Sequence, residues 1–251
     1  MRAGVTFLGH STVLVELGGV RLLTDPVLFD RLGILRRTVS PLHPSLYASV
    51  DAVVVSHLHL DHLDLRSLRL LGPDVAIHVP VGAGAFLRTR GFDRVVELAP
   101  GESTAVGPLR VTATPARHGG FRPPLGPRAM AVGYLLDEGS ERVYFAGDTD
   151  IFPAMGGLEG IDLALLPVWG WGPRLGPGHL DPWRAASALR LLRPRAAVPI
   201  HWGTLWPYGG GRVVPGRLTE PPREFGRFAA QVAPEVSVLP TPPGETVAVP
   251  R

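Results

Sequence analysis

A run of histidines directly after a short apolar segment constrains the fold more than any other feature of this sequence. The residues from Ala52 to Val55 are all apolar, which predicts a strand buried on both faces. The run from His57 to His62 follows and reads His-Leu-His-Leu-Asp-His. Three imidazoles and one carboxylate at this spacing cannot all point one way from a helix, but they can converge in a turn at a strand end. The chain is therefore expected to place this turn at a sheet edge.

The residue types in this turn indicate a metal site. Neutral imidazole and carboxylate oxygen are good ligands for Zn²⁺, Mn²⁺ and Fe. The sequence has no cysteine, which excludes disulfides, thiolate metal sites and thiol nucleophiles. All 25 basic residues are arginine, which excludes a lysine Schiff base and a phosphate-loop lysine. No Gly-x-Ser-x-Gly motif is present, which disfavours a serine hydrolase.

Further candidate ligands follow later predicted strands. His118, Asp148 and His201 each lie just beyond the end of such a strand, with glycines that allow the loops to turn inward. These strands are predicted over 109–114, 142–146 and 196–200. Each residue alone is a weak signal, but together with the histidine run they share one architecture, with ligands at sheet edges.

The remaining pattern predicts sheets with helices packed outside them. Asp64 is expected to cap a helix from Leu65, and Asp181 to cap another with Pro182 at its first position. A weaker helix is expected over 222–233. Other strands are predicted over 6–8, 12–17, 20–24, 75–79, 129–136 and 163–166, and a helix over 82–90. With 45% hydrophobic and 19% charged residues, the 251-residue chain can bury a sizeable core.

Taken together, the His-x-His-x-Asp-His run, a strand-end histidine, the Gly147-Asp148-Thr149 segment and a late histidine resemble the metallo-β-lactamase superfamily. The resemblance implies an α+β fold, an αββα sandwich of two mixed β-sheets with helices on the outer faces. It implies one hydrolase domain over residues 1–251. It also implies a cleft at one sandwich edge that holds two divalent metal ions, with Zn²⁺ favoured and Mn²⁺ or Fe as alternatives.

The resemblance also implies roles for individual residues. The implied ligands are His57, His59 and His118 for the first ion, Asp61, His62 and His201 for the second, and Asp148 as the bridge. Asp61 is expected to orient the attacking water as well. Asp25 matches an early strand-end aspartate, and a carboxylate that orients a ligand imidazole is physically sensible there. His10 is expected to be either structural or a support behind the ligands.

Further motifs narrow the resemblance. The segments Leu8–Thr12, Thr24–Pro26, His179–Pro182 and Ile200–Thr204 are similar to the branch that contains N-acylphosphatidylethanolamine phospholipase D. L-ascorbate-6-phosphate lactonase is a more distant relative. The resemblance implies hydrolysis of a phosphodiester by a metal-bound hydroxide. A lactonase or carboxylic-ester hydrolase, a nuclease and a noncatalytic metal-binding protein remain alternatives.

Residues outside the ligand set are expected to contact the substrate. The resemblance places His179 over the cleft, where it binds substrate or protonates a leaving group. Trp169, Trp171 and Trp202 lie near the late ligands in sequence and are expected to bind an acyl chain or another apolar group. The alternative is that these aromatic residues cover the cleft or form the surface of a homo-oligomer.

Charge and hydropathy set expectations about partners and location. The net charge is +3 and the arginines are spread along the chain, so a nucleic-acid partner is not expected. The resemblance instead implies a small-molecule or lipid-like substrate. No run approaches the roughly 20 apolar residues of a transmembrane helix. The N-terminus lacks the basic start and continuous apolar run of a signal peptide, so a cytoplasmic protein is expected.

Overall fold

The strands form two large mixed sheets and one small sheet. The computed structural model describes residues 3–170, 175–208 and 215–249. The first sheet has the spatial order β17 (Thr246–Ala248), β1 (Gly4–Gly9), β2 (Thr12–Leu17), β3 (Val20–Thr24), β6 (Ala52–Val54), β7 (Ala76–Pro80) and β8 (Val95–Leu98). The second has the order β16 (Ser237–Val238), β14 (Ala196–Ile200), β13 (Leu163–Pro167), β12 (Arg142–Phe145), β11 (Val132–Asp137), β10 (Leu109–Pro115) and β9 (Ser103–Val106).

Helices cover the outer faces of these two sheets. They are α1 (Leu65–Leu71), α2 (Gly84–Arg88), α3 (Pro182–Leu192) and α4 (Glu220–Val232). Buried apolar residues of α1 and α2 pack on the first sheet, and those of α3 and α4 pack on the second. A third apolar cluster, which includes Phe7 and Phe145, joins the sheets to each other. The layers are therefore helix, sheet, sheet, helix, which confirms the predicted αββα sandwich.

The apolar strand before the histidine run is buried on both faces, as predicted. Ala52 and Val54 of β6 point into the cluster between the sheets. Val53 points to the other side and packs with residues of α1 and α2. Because side chains alternate along a strand, only a wholly apolar sequence can satisfy both faces.

The helix ends follow the predicted capping chemistry. The Asp181 carboxylate accepts a hydrogen bond from the Arg184 main-chain N–H at 2.8 Å, and Pro182 begins α3. Asp64 caps α1 in the same way. The weaker helix begins at Glu220, two residues before its predicted start, because prolines fit the first turn of a helix, where N–H groups have no helical partner. None of the described helices is both long and apolar enough to cross a bilayer.

The sequence prediction missed the small sheet. Its order is β15 (Leu205–Pro207), β5 (Leu35–Arg37) and β4 (Arg31–Leu32). Strands of two or three residues are too short to show a period of two, so they left no readable signal. Arg37 anchors this sheet, because its buried guanidinium donates hydrogen bonds to the carbonyls of Leu8 and Val27, both at 3.0 Å.

Candidate metal centre

The predicted ligands meet at one edge of the sandwich, beyond the carboxyl ends of strands. Parallel neighbours such as β3 and β6, or β12, β13 and β14, end on the same side, so the loops after them converge. A site residue follows the carboxyl end of each of six strands. These residues are His10 after β1, Asp25 after β3, His57 after β6, His118 after β10, Asp148 after β12 and His201 after β14. The topology thus explains why residues far apart in sequence share one site.

The first group of predicted nitrogen ligands is His57, His59 and His118. His59 Nδ1 lies 2.9 Å from His57 Nε2 and 3.2 Å from His118 Nε2. Two nitrogens bound to one tetrahedral zinc ion, with bonds of about 2.0–2.1 Å, lie about 3.3 Å apart. The observed spacing therefore fits three ligands around one ion.

The second group is His10, Asp61, His62 and His201. The Nε2 atoms of His62 and His201 lie 3.2 Å apart. Asp61 Oδ2 lies 3.7 Å from His62 Nε2 and 3.9 Å from His201 Nε2. His10 Nε2 lies 3.0 Å from the same Asp61 oxygen, so His10 joins this group through Asp61.

Main-chain carbonyls fix the orientation of two imidazoles. His118 Nδ1 lies 2.7 Å from the Gly178 carbonyl, and His201 Nδ1 lies 2.6 Å from the Trp169 carbonyl. A carbonyl only accepts, so each Nδ1 carries the proton and each Nε2 directs a lone pair into the site. Metal-ligating histidines commonly have such an outward partner.

Asp25 fixes two further imidazoles from behind. Its fully buried carboxylate lies 2.6 Å from His62 Nδ1 and accepts hydrogen bonds from the Ser56 N–H at 2.7 Å and hydroxyl at 2.6 Å. Because that hydroxyl donates to Asp25, it can only accept from His57 Nδ1, 3.0 Å away. The burial of Asp25 raises the pKa of its carboxyl, although His62 and Ser56 oppose this shift. The contacts agree with the role that the resemblance implies for Asp25.

Asp148 lies between the two groups. Its Oδ1 lies 3.3 Å from His201 Nε2, and its Oδ2 lies 3.5 Å from His62 Nε2 and 4.0 Å from His118 Nε2. Oδ1 is buried and has no hydrogen-bond partner among the described residues. A buried carboxylate oxygen without a partner is costly, so this atom fits contact with a cation. Burial raises the pKa of Asp148, but the imidazoles of His201 and His62 outweigh it and hold the pKa well below its ordinary value.

The pKa shifts of the site histidines differ with their surroundings. Burial lowers the pKa of His59 to about 4 and that of His201 to about 3, so both imidazoles are neutral at pH 7, as metal ligands must be. Burial by itself would lower the pKa of His62 as well. The nearby carboxylates, led by Asp148 and Asp61, outweigh burial and hold this pKa well above its ordinary value. These carboxylates therefore stabilise positive charge at the position of His62.

Backbone strain is concentrated here. Five described residues other than glycine have a positive φ, and three of them belong to the site: His10 at 56°, Asp25 at 34° and His201 at 60°. Such conformations cost energy and often occur at functional sites. Gly147, which precedes Asp148, has φ of 59°, and a Cβ there would lie 2.4 Å from that of Ser56. Glycine thus lets the Asp148 loop approach the histidine run.

A cleft of about 680 Å³ opens over these residues. Its floor includes His59, Asp61, Asp148 and His201. Its wall is mainly apolar and comes largely from the small sheet; the described residues are Leu32, Gly33, Ile34, Leu35, Leu60, Pro123 and Pro207, with Asp64 and Arg66 beside them. None of these wall residues is among the substrate-contacting residues predicted from the sequence.

His179 also lines the cleft, where the resemblance predicts it. Its Nε2 lies 3.9 Å from Asp148 Oδ2, and its ring packs edge-on against His118. Its Nδ1 is buried without a hydrogen-bond partner among the described residues. The side chain is 30% exposed, so it can meet a bound molecule.

The tryptophan expectation needs correction. Trp202 stacks on Phe7 at 5.6 Å and packs against the apolar clusters, so its indole belongs to the core. Trp169 is 5% exposed and stacks on Trp206 at 5.0 Å. Neither is among the described residues that line the cleft, because both rings are used in packing. Trp171 lies outside the described residues.

Comparisons of this chain with known proteins agree on one protein family. The protein-family model described as "Beta-lactamase superfamily domain" matches residues 20–202 of this chain. A "UPF0173 metal-dependent hydrolase" of Rubrobacter xylanophilus is 32% identical, over 96% of this chain and 94% of that protein. The "N-acyl-phosphatidylethanolamine-hydrolyzing phospholipase D 1" of Caenorhabditis elegans is 34% identical, over 81% of this chain and 64% of that protein.

A solved structure agrees with these relatives. Igni18, described as a metallo hydrolase from the archaeon Ignicoccus hospitalis, aligns over 100% of both chains with a TM-score of 0.77 and 26% identity. The fold of Igni18, the family match and the relatives that are named as hydrolases all support the same family assignment. The chain therefore belongs to the metallo-β-lactamase superfamily and is a metal-dependent hydrolase.

Proposed function

We propose that this chain holds two divalent metal ions and hydrolyses a phosphodiester with a lipid-like apolar group. The observation that carries the proposal is the buried oxygen of Asp148, which has no hydrogen-bond partner among the described residues and lies between two groups of side chains that could hold a metal ion. His57, His59 and His118 would hold one ion, Asp61, His62 and His201 the other, and Asp148 would contact both. When bound, two such ions supply a nucleophile at neutral pH and stabilise developing negative charge. Zn²⁺ is the first choice, and Mn²⁺ or Fe are alternatives.

The chain's own groups would manage the protons. Asp61 lines the cleft, and its Oδ2 accepts from His10, which fixes the carboxylate. From there Asp61 can accept a hydrogen bond from the attacking water and orient it. His179 lines the same cleft and can donate a proton to the leaving oxygen from Nε2. Attack and leaving-group protonation would therefore use different side chains.

The cleft wall supports the substrate class. Leu32, Ile34 and Leu35 offer aliphatic surface beside the floor, which suits a hydrocarbon group attached to the diester. The C. elegans relative is named for a phospholipid diester substrate, although this chain spans only 64% of that relative. The combination of a polar floor and an apolar wall favours an amphipathic substrate.

A lactone or carboxylic ester is the second candidate. Arg66 is the one cationic side chain among the described residues that line the cleft, and it is paired with Asp64 at 3.2 Å. The side chains of the cleft thus add little unpaired positive charge to that of the proposed ions, so a neutral substrate also fits. This candidate uses the same floor and the same ions.

The test combines metal content with a substrate panel. Elemental analysis of the purified protein is run beside turnover of bis(p-nitrophenyl) phosphate, an N-acylated phosphatidylethanolamine in mixed micelles, and an aliphatic lactone. About two ions per chain with turnover of the diesters is the expected result. Two ions with turnover of the lactone alone would replace the proposal by the second candidate. No bound metal after reconstitution would overturn both. His43→Ala, a change at an exposed histidine outside the site, serves as control.

A further inference from the structure

We infer that Arg122 is a positioning residue that holds the His-rich turn in the shape the metal centre needs. This inference rests on the metal centre proposed above. Arg122 is 8% exposed, and its Nη1 donates hydrogen bonds to the carbonyls of Leu58 at 2.9 Å and Leu63 at 3.0 Å. One guanidinium nitrogen thus joins the two ends of the segment that carries His59, Asp61 and His62.

This segment has little other main-chain support of its own. The main-chain N–H groups of His62 and Leu63 both donate to the His59 carbonyl, at 3.2 and 2.9 Å, which makes a single turn. Such a turn is marginal by itself, since isolated helical turns are unfavourable to nucleate. Leu58 and Leu63 are fully buried, so their carbonyls need a donor inside the protein. Arg122 supplies that donor to both.

Arg122 is itself held in a fixed position. Its main-chain N–H donates to the Pro127 carbonyl at 3.0 Å, and its own carbonyl accepts from the Gly126 N–H at 2.8 Å. Its guanidinium lies 5.1 Å from the centre of the Phe86 ring. A rigid fork with several donors can hold two carbonyls, whereas an ammonium group is a point charge on a flexible stem.

The position of Arg122 also links the turn to the cleft. The next residue, Pro123, lines the cleft wall, so one short loop touches both the bound molecule and the main chain of the turn. Burial of the Arg122 guanidinium is costly. The hydrogen bonds from the guanidinium to the Leu58 and Leu63 carbonyls, which flank predicted ligands, offset that cost.

The test compares Arg122→Met and Arg122→Lys with Arg128→Met. Arg128 is an exposed arginine of the same loop whose guanidinium faces Phe121. The readout is Zn²⁺ affinity by competition with a chelating dye, which does not depend on any substrate. We expect Arg122→Met to bind Zn²⁺ about 10- to 100-fold more weakly. Arg128→Met should match the wild type, and Arg122→Lys should fall between.

Hydrogen exchange and chemical rescue separate positioning from general stability. Peptides covering 57–63 should exchange faster in Arg122→Met while other regions remain protected, and added guanidinium ion should restore Zn²⁺ affinity. Faster exchange throughout the chain, in Arg122→Lys as well, would make Arg122 a general stability residue and overturn the inference. If the wild type binds Zn²⁺ and either Arg122 variant binds it equally tightly, only the inference about Arg122 is overturned. The proposed metal centre then still stands. A wild type that binds no metal would instead remove the proposed centre on which it rests.

Discussion

The floor and the wall of the cleft are held in different ways. On the floor, the outer nitrogens of His62, His118 and His201 each have an acceptor within 2.7 Å, and the residues follow buried strands. On the wall, β4 and β5 are strands of two and three residues joined at a tip where Ile34 is 79% exposed. The aliphatic side chains of the wall cannot form hydrogen bonds, so only packing positions them.

This difference separates two requirements of a metal-dependent hydrolase. Ligand atoms must be placed within about half an ångström of their working positions, so each needs its own supporting contact. Apolar contact with a substrate tolerates larger errors because it has no preferred direction. Changes to the predicted ligands on the floor should therefore act on metal binding, and changes on the wall should act on substrate preference.

The largest effect is expected for Asp148→Ala, which removes the side chain between the two ligand groups. Both metal content and activity should fall, with kcat/KM reduced by about a thousandfold or more, because charge stabilisation worth several kcal/mol is lost. Elemental analysis and steady-state kinetics measure the two quantities. Asp93→Ala, at an exposed aspartate, is the matched control. Unchanged metal stoichiometry in Asp148→Ala would contradict its placement as a ligand.

His179→Ala should separate chemistry from metal binding on the same floor. We expect kcat to fall by about a hundredfold or more on a diester with an alkyl leaving group, because proton donation to the leaving oxygen is lost. The decrease should be much smaller with bis(p-nitrophenyl) phosphate, since p-nitrophenolate leaves without a proton. Both metals should stay bound. Loss of metal in this variant would mean that His179 is a ligand.

Asp25→Asn tests the support behind the floor. The amide keeps the size of the side chain but removes the charge that faces His62 Nδ1, so metal affinity should fall about 10- to 100-fold. Ser56→Ala removes one hydrogen bond to the same carboxylate and should have a smaller effect. Chelator competition measures both. Equal affinities in wild type and Asp25→Asn would show that the imidazole is oriented without this charge.

The smallest effect is expected on the wall. Ile34→Ser should raise KM for a long-chain substrate about fivefold, since roughly 1 kcal/mol of apolar contact is lost, while KM for bis(p-nitrophenyl) phosphate stays unchanged. Metal content should match the wild type. Leu70→Ser, at an exposed leucine of α1 outside the described cleft lining, is the control. An equal rise in KM for both substrates would show that the wall does not select for chain length.

Local sequence patterns predicted much of this molecule. The wholly apolar residues of β6, the cap at Asp181 and the histidine run each depend on near neighbours in the chain, so spacing alone revealed them. The two-ion ligand assignment came from the family resemblance and remains a proposal, as does the extent of the domain over residues 1–251. The structure brings all seven implied ligands to one edge of the sandwich.

What the sequence determined by itself is the chemistry available: imidazole and carboxylate at strand ends, without cysteine or lysine. Only the tertiary structure decided which side chains surround that chemistry. Trp202 went to the core rather than the cleft, the short strands β4 and β5 became the apolar wall, and Arg122 reached the carbonyls of the histidine turn from about 60 residues away. The physical reason is that such contacts form between segments distant along the chain, where no local periodicity records them.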